Sequence, residues 1–166
     1  MRLSDIQIPA ALLADLYKNS LVEVQPPRAE PTMNVEKKLM KFLGENKKRI
    51  LIIATDNSSP FLNEKAFNFL LSILSACHLS MADVALVNNH LSKNTLHELT
   101  SEIDAKIILL FGIEAGTMNL PIDFPHYQVQ KHGNITYLTA DNFDVLETDK
   151  QLKGKLWLCL KKIFDL

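Results

Sequence analysis

Apolar and polar residues alternate between two periods along this chain. Ile50-Leu51-Ile52-Ile53-Ala54 is a continuous apolar run, the pattern of a strand buried on both faces in a parallel sheet. It stops in Thr55-Asp56-Asn57-Ser58-Ser59-Pro60. Beyond it Leu62, Ala66, Phe69, Leu70, Ile73, Leu74 and Cys77 recur at helical spacing. The spacing predicts a helix to about His78, with Ser59 as N-cap and Pro60 in the first turn. A turn at Leu79–Ala82 leads to a second strand, Asp83–Val87. Ser92 is placed to cap a helix through Ile103, with Leu96, Leu99 and Ile103 inward. Lys106–Phe111 reads as a third strand, closed by Gly112.

Strand and helix in alternation imply crossover connections and a parallel sheet. Tyr127–Gln130 and Ile135–Thr139 read as two strands joined through His132-Gly133-Asn134, a hairpin turn. Thr148 and Gln151 have capping-box spacing. They open a last helix to Phe164 with Leu152, Leu156, Leu160 and Ile163 on its inner stripe. The expected fold class is α/β: three layers, α/β/α, around a mostly parallel central sheet.

Residues 1–33 read as an amino-terminal arm before an α/β domain at 34–166. In the arm, Pro9 to Lys18 predicts a short helix with Leu12, Leu13, Leu16 and Tyr17 as one apolar stripe. Leu21–Val24 reads as a brief strand. The prolines of Gln25–Pro31 force an extended linker. Asn34 to Phe42 predicts a helix with Val35, Leu39 and Phe42 on one side, ended by Gly44 as a C-cap.

The 166 residues fit one core. The net charge of −1 gives no strong electrostatic footprint for nucleic acid or an anionic membrane. A basic neighbourhood at Lys37, Lys38, Lys41, Lys47, Lys48 and Arg49 could meet phosphates or an acidic partner, or could be a solvated helix face beside a sticky strand. No apolar run is long enough to span a bilayer, and Met1-Arg2-Leu3-Ser4-Asp5 does not open like a signal peptide. Cys77 and Cys159 sit in apolar helical patterns, which predicts buried, reduced thiols and a cytoplasmic location.

The candidate chemistry is sparse. Asp56 ends the first strand, where α/β folds bind ligands, and could act as a general base or metal ligand. With Asn57 it could equally form Asx turns leading into the helix cap. Asn88 and Asn89 end the second strand, where they could bond a base edge or close a turn. Asp141 and Asp144, before the last helix, could join Asp56 in an acidic pocket or stand as turn formers. Asp56, Asn57, Asn88 and Asp141 are therefore the ligand-binding candidates. The histidines show no helical i,i+4 pair, so spacing gives no metal site. No cofactor motif is present. Trp157 reads as core, or as an interface anchor. The stripe Leu12, Leu13, Leu16 and Tyr17 could dock in a partner's groove or fold back.

The order of several segments is more specific than a fold class. Ile50–Ile53, then Phe69–Ser80, then Asp83-Val84-Ala85-Leu86-Val87-Asn88, then Lys106–Gly112, resembles uracil-DNA glycosylase-like proteins over roughly residues 48–164. Thr55–Pro60 stands where those enzymes carry a glycine- and proline-containing catalytic loop. Leu138-Thr139-Ala140-Asp141-Asn142 stands where they carry a His-Pro-Ser-like motif. The resemblance without those motifs fits a non-catalytic branch, the psi subunits of the bacterial DNA polymerase III clamp loader. It implies a protein-interaction role in DNA replication, with clamp-loader subunits as partners and the arm as a binding peptide. The competing expectation is a nucleobase- or nucleotide-binding protein, or a hydrolase, with its pocket at the sheet's carboxyl edge.

Overall fold

The computed structural model describes residues 41–113, 117–119 and 124–166. Six strands form one sheet: β1 (Leu43–Gly44), β2 (Ile50–Ala54), β3 (Val84–Asn88), β4 (Ile107–Phe111), β5 (Val129–His132) and β6 (Ile135–Ala140). Their spatial order is β1-β3-β2-β4-β6-β5. The four inner strands are parallel, and the edge strands β1 and β5 run antiparallel to their neighbours. The helices are α1 (Glu64–Ala76), α2 (Asn89–Ser92), α3 (Leu96–Glu102), α4 (Phe143–Thr148) and α5 (Lys150–Phe164). The mixed α/β architecture with a mostly parallel sheet is as expected.

The apolar runs were a sound guide because β2, β3 and β4 are covered on both faces. Ile50, Ile52, Leu86 and Leu109 face α1, α4 and α5, contributing to a core with Leu70, Leu74, Leu146, Leu156 and Leu160. Leu51, Ile53, Val87 and Leu110 face the other way, onto Leu96, Leu99, Met118 and Phe124. Each fully buried Leu or Ile contributes roughly 1.5–3 kcal/mol of transfer free energy. Among the described residues, Cys77 and Cys159 are buried and free.

Several boundaries move, each for a local reason. Of the helix expected over Asn34 to Phe42, only Lys41 and Phe42 are described, and they are not helical. Gly44 is no C-cap. It lies in β1 at φ 111°, where an added Cβ would come within 2.1 Å of the Val84 carbonyl oxygen, so the close pairing of β1 with β3 requires glycine. The first helix starts at Glu64, because Asn63 and not Ser59 is its N-cap, accepting from the Ala66 amide at 2.9 Å. Ser92 closes the short α2; Thr95 caps α3 in a capping box with Glu98. Thr148 bonds back into α4, while Asp149 caps α5 by accepting from the Gln151 and Leu152 amides. β5 starts at Val129 and not Tyr127, because Tyr127 has φ 59°, outside strand geometry.

Strand order and register set the position of the carboxyl edge. Ala54 pairs with Asn88 on one side and Phe111 on the other, and Phe111 pairs with Ala140. Thr55, Asn89, Gly112 and Asp141 therefore leave the sheet in one row. The connection from β2 goes through α1 to β3, and the next returns past β2 to β4. The order reverses between β2 and β4, the place where open α/β sheets hold ligands.

Candidate functional site

A cleft of about 330 Å³ opens at this edge, lined by the loop Thr55–Ser58, by Leu62, Asn63 and Ala66 of the α1 entry, and by Asn142, Phe143 and Asp144. Its apolar side is anchored by Phe143, stacked on Phe111 with ring centroids 4.5 Å apart. Thr55 Oγ1 donates to the Gly112 carbonyl at 3.2 Å, tying the ends of β2 and β4 together. Gly112 has φ 64°, and an added Cβ would lie 2.7 Å from Asn142 Cβ.

Asp56 is 8% exposed, and its carboxylate is already engaged. Oδ1 accepts from the Ser58 amide at 2.7 Å and the Ser58 hydroxyl at 2.6 Å; Oδ2 accepts from the Asn63 amide at 2.6 Å. Burial pushes its pKa upward. The hydrogen bonds from Ser58, Asn63 and Ser59 outweigh that and hold the carboxyl below the ordinary aspartate range. The group is ionised at neutral pH and organises its own loop. Asn57 lines the cleft beside it.

Asn88 is 5% exposed and braces two strand ends. Its Oδ1 accepts from the Asp56 amide at 3.1 Å and the His90 amide at 3.0 Å. Its Nδ2 donates to the carbonyls of Asp56 and Ser59, both at 2.9 Å. Asn89 likewise accepts from the Asn94 amide at 2.8 Å. Asp56 and Asn88 are thus brought together, through backbone groups.

Asp141 joins a different cluster. The Tyr127 hydroxyl donates to Asp141 Oδ2, and His126 Nδ1 lies 3.3 Å from Asp141 Oδ1. Tyr127 is pinned further by its amide, which donates to the Thr139 carbonyl, and by its carbonyl, which accepts from the Cys159 thiol. Burial first, then the hydrogen bond to the Asp141 carboxylate, push the Tyr127 phenol up to about 12. Burial also raises the Cys159 thiol, against a smaller opposing effect of Lys162. Spacing could not have exposed this cluster, because a hairpin and a left-handed tyrosine create it. Asp144, by contrast, does line the cleft with Asp56. Asn63 was the other omission, although an asparagine at the start of a run of helical spacing is an N-cap signal.

Two members of the basic neighbourhood are tied to acids. Lys47 Nζ lies 2.6 Å from Glu45, and Arg49 Nε lies 3.1 Å from Asp104. Among the described residues no group of three or more His, Cys, Asp or Glu could hold a metal ion, and no helix is long and apolar enough to cross a membrane. Leu12, Leu13, Leu16 and Tyr17 lie outside the described residues. Compared with family models and with curated protein sequences, the chain matches none.

Proposed function

We propose that this chain is a non-catalytic protein-interaction subunit, similar in role to the psi subunits of the bacterial DNA polymerase III clamp loader and working in DNA replication. The observation that carries the reading is the state of Asp56. It stands where a glycosylase-like scaffold would place its chemistry, and both carboxylate oxygens already accept hydrogen bonds from Ser58 and Asn63. A general base must have a lone pair to offer a substrate proton. Here three hydrogen bonds from the loop fall on a carboxylate that offers about four acceptor positions, so most of its lone pairs hold the loop. Asn88, a second buried polar group at the edge, supports backbone in the same way. The strand order and the ordered resemblance over residues 48–164 supply the rest of the argument, by analogy of fold. Affinity capture with the full chain from a bacterial lysate at low salt should recover clamp-loader subunits. Recovery of other proteins without any clamp-loader subunit would refute this role.

The cleft volume favours a second reading, a binder of a nucleobase or nucleotide. About 330 Å³ lies at the lower end of the range for small-molecule sites. Two carboxylates, Asp56 and Asp144, line it, so an uncharged base suits it better than a phosphate. A nucleobase that raises the melting temperature of the parent but not of an Asp144→Asn variant would support this second reading.

A further inference from the structure

We propose that the outer face of α5 is a docking surface for an acidic protein segment carrying an apolar anchor residue. This deepens the reading of the chain as an interaction subunit and rests on it. The inner stripe of α5, Leu156, Cys159 and Leu160, is consumed by the core. The opposite stripe, Gln151, Gly154, Lys155, Leu158, Lys161 and Lys162, is exposed and recurs at helical spacing. At its centre Leu158 is 61% exposed. Trp157 sits half-buried beside it, with Lys161 Nζ 5.5 Å from the ring centre.

Charge selects the kind of partner. From residue 150 to the end there are five lysines, Lys150, Lys153, Lys155, Lys161 and Lys162, against one acid, Asp165. The whole chain is at −1, so this surplus is local. Lys153 is occupied over the Phe69 ring at 5.3 Å. Lys155 and Lys162 flank Leu158 one helical turn away on either side, and neither forms an ion pair with an acid among the described residues.

Gly154 gives an independent indication. Glycine weakens a helix interior relative to alanine, and a close-packed neighbour would account for it. None exists among the described residues, where an added Cβ would meet nothing within 4 Å. One turn from Leu158, the missing side chain leaves a notch in which another backbone can approach closely. Two other occupants fit less well. A lipid surface needs a broad apolar face on the helix, and here that face is already buried in the core. Nucleic acid needs an extended basic footprint, whereas Lys47 and Arg49 are paired with Glu45 and Asp104.

Trp157 is the chain's single tryptophan, so its emission reports on this face. The test is selection of random short peptides on the full chain, followed by titration of retained peptides against Trp157 emission. Retained peptides should be rich in Asp and Glu around one large apolar residue, and their affinity should fall steeply with salt. Leu158→Glu and Lys155→Glu should each weaken binding about tenfold or more. Gly154→Ala should weaken it comparably while leaving the melting temperature unchanged or higher, which separates a docking role from a folding role. Retention of neutral or basic peptides, or equal retention by Leu158→Glu, would overturn the proposal. So would a Trp157 response only to phosphatidylglycerol vesicles or to single-stranded oligothymidine. If clamp-loader capture succeeds and is insensitive to Leu158→Glu, this surface is wrong and the broader reading survives. If the peptides bind as expected and no clamp-loader subunit is captured, the surface stands and the replication role falls.

Discussion

At the residue scale, the buried Asp56, Asn88 and Asn89 are committed to backbone. Asp56 is the clearest case. Asp56→Ala would leave the Ser58 and Asn63 amides without their acceptor, a loss of about 1–3 kcal/mol, readable in a urea melt. The pH dependence follows from the lowered pKa. Below the unfolded aspartate pKa of about 3.9 the unfolded chain takes up the proton first. The stabilisation is therefore complete above that value and fades as pH falls through the folded pKa. Parent stability should decline on acidification more steeply than that of Asp56→Asn. Tyr127 has the opposite sign. Its phenol is raised to about 12, so its contribution is full below about pH 10, the unfolded value, and fades as pH rises through the folded one. Tyr127→Phe should cost about 1–2 kcal/mol at neutral pH and flatten the alkaline end of the stability profile. Thr139 differs again. It is 3% exposed and its hydroxyl finds no partner among the described residues. Thr139→Val should leave stability unchanged or raise it by about 1 kcal/mol.

At the element scale, strand and helix bodies follow from the hydrophobic period, and their ends follow from caps. The sequence offers several good capping residues within a few positions: Ser59 and Asn63, Ser92 and Thr95, Thr148 and Asp149. Local chemistry alone does not rank them. Asp56 decides the first choice, because bonding the Ser58 and Asn63 amides folds Ser58–Leu62 into a loop before the helix can start. Asn63→Ala should then cost about 1 kcal/mol, and Ser59→Ala much less, by thermal or urea unfolding of the two variants. Equal losses would put the helix start back at Ser59. The hairpin shows the same division. Gly133 at φ 58° lies in its turn and was legible from His132-Gly133-Asn134. The late start of β5 was not legible, since nothing in a tyrosine's neighbourhood announces a left-handed φ.

At the scale of the whole molecule, strand order turns separate loops into one edge. β2 lies between β3 and β4, so the ends of strands far apart in sequence become neighbours. Gly112 makes that edge tight, with Asn142 packed where its side chain would be. Gly112→Ala combines an unfavourable positive φ with a clash against Asn142. It should destabilise by about 1–3 kcal/mol and widen the cleft, visible as faster amide exchange at Asn142–Asp144. An unchanged melting temperature would show that the edge is slack. The same scale explains why Asp141 and Asp56 do not share the cleft. They leave the sheet in one row, but the start of the β5–β6 ribbon draws Asp141 toward Tyr127 and His126.

The apolar runs alone established that strands alternate with helices around a buried parallel sheet, because burial on both faces demands side chains that need no solvent. They also located Asp56 and Asn88 at strand ends, since strand ends are where the apolar run stops. Which cap wins, which strands are neighbours, and whether a carboxylate faces a ligand or its own loop depend on groups distant along the chain. A hydrogen bond such as Asn88 to Asp56 exists only after the sheet has aligned their strands, and no period in the residues encodes it.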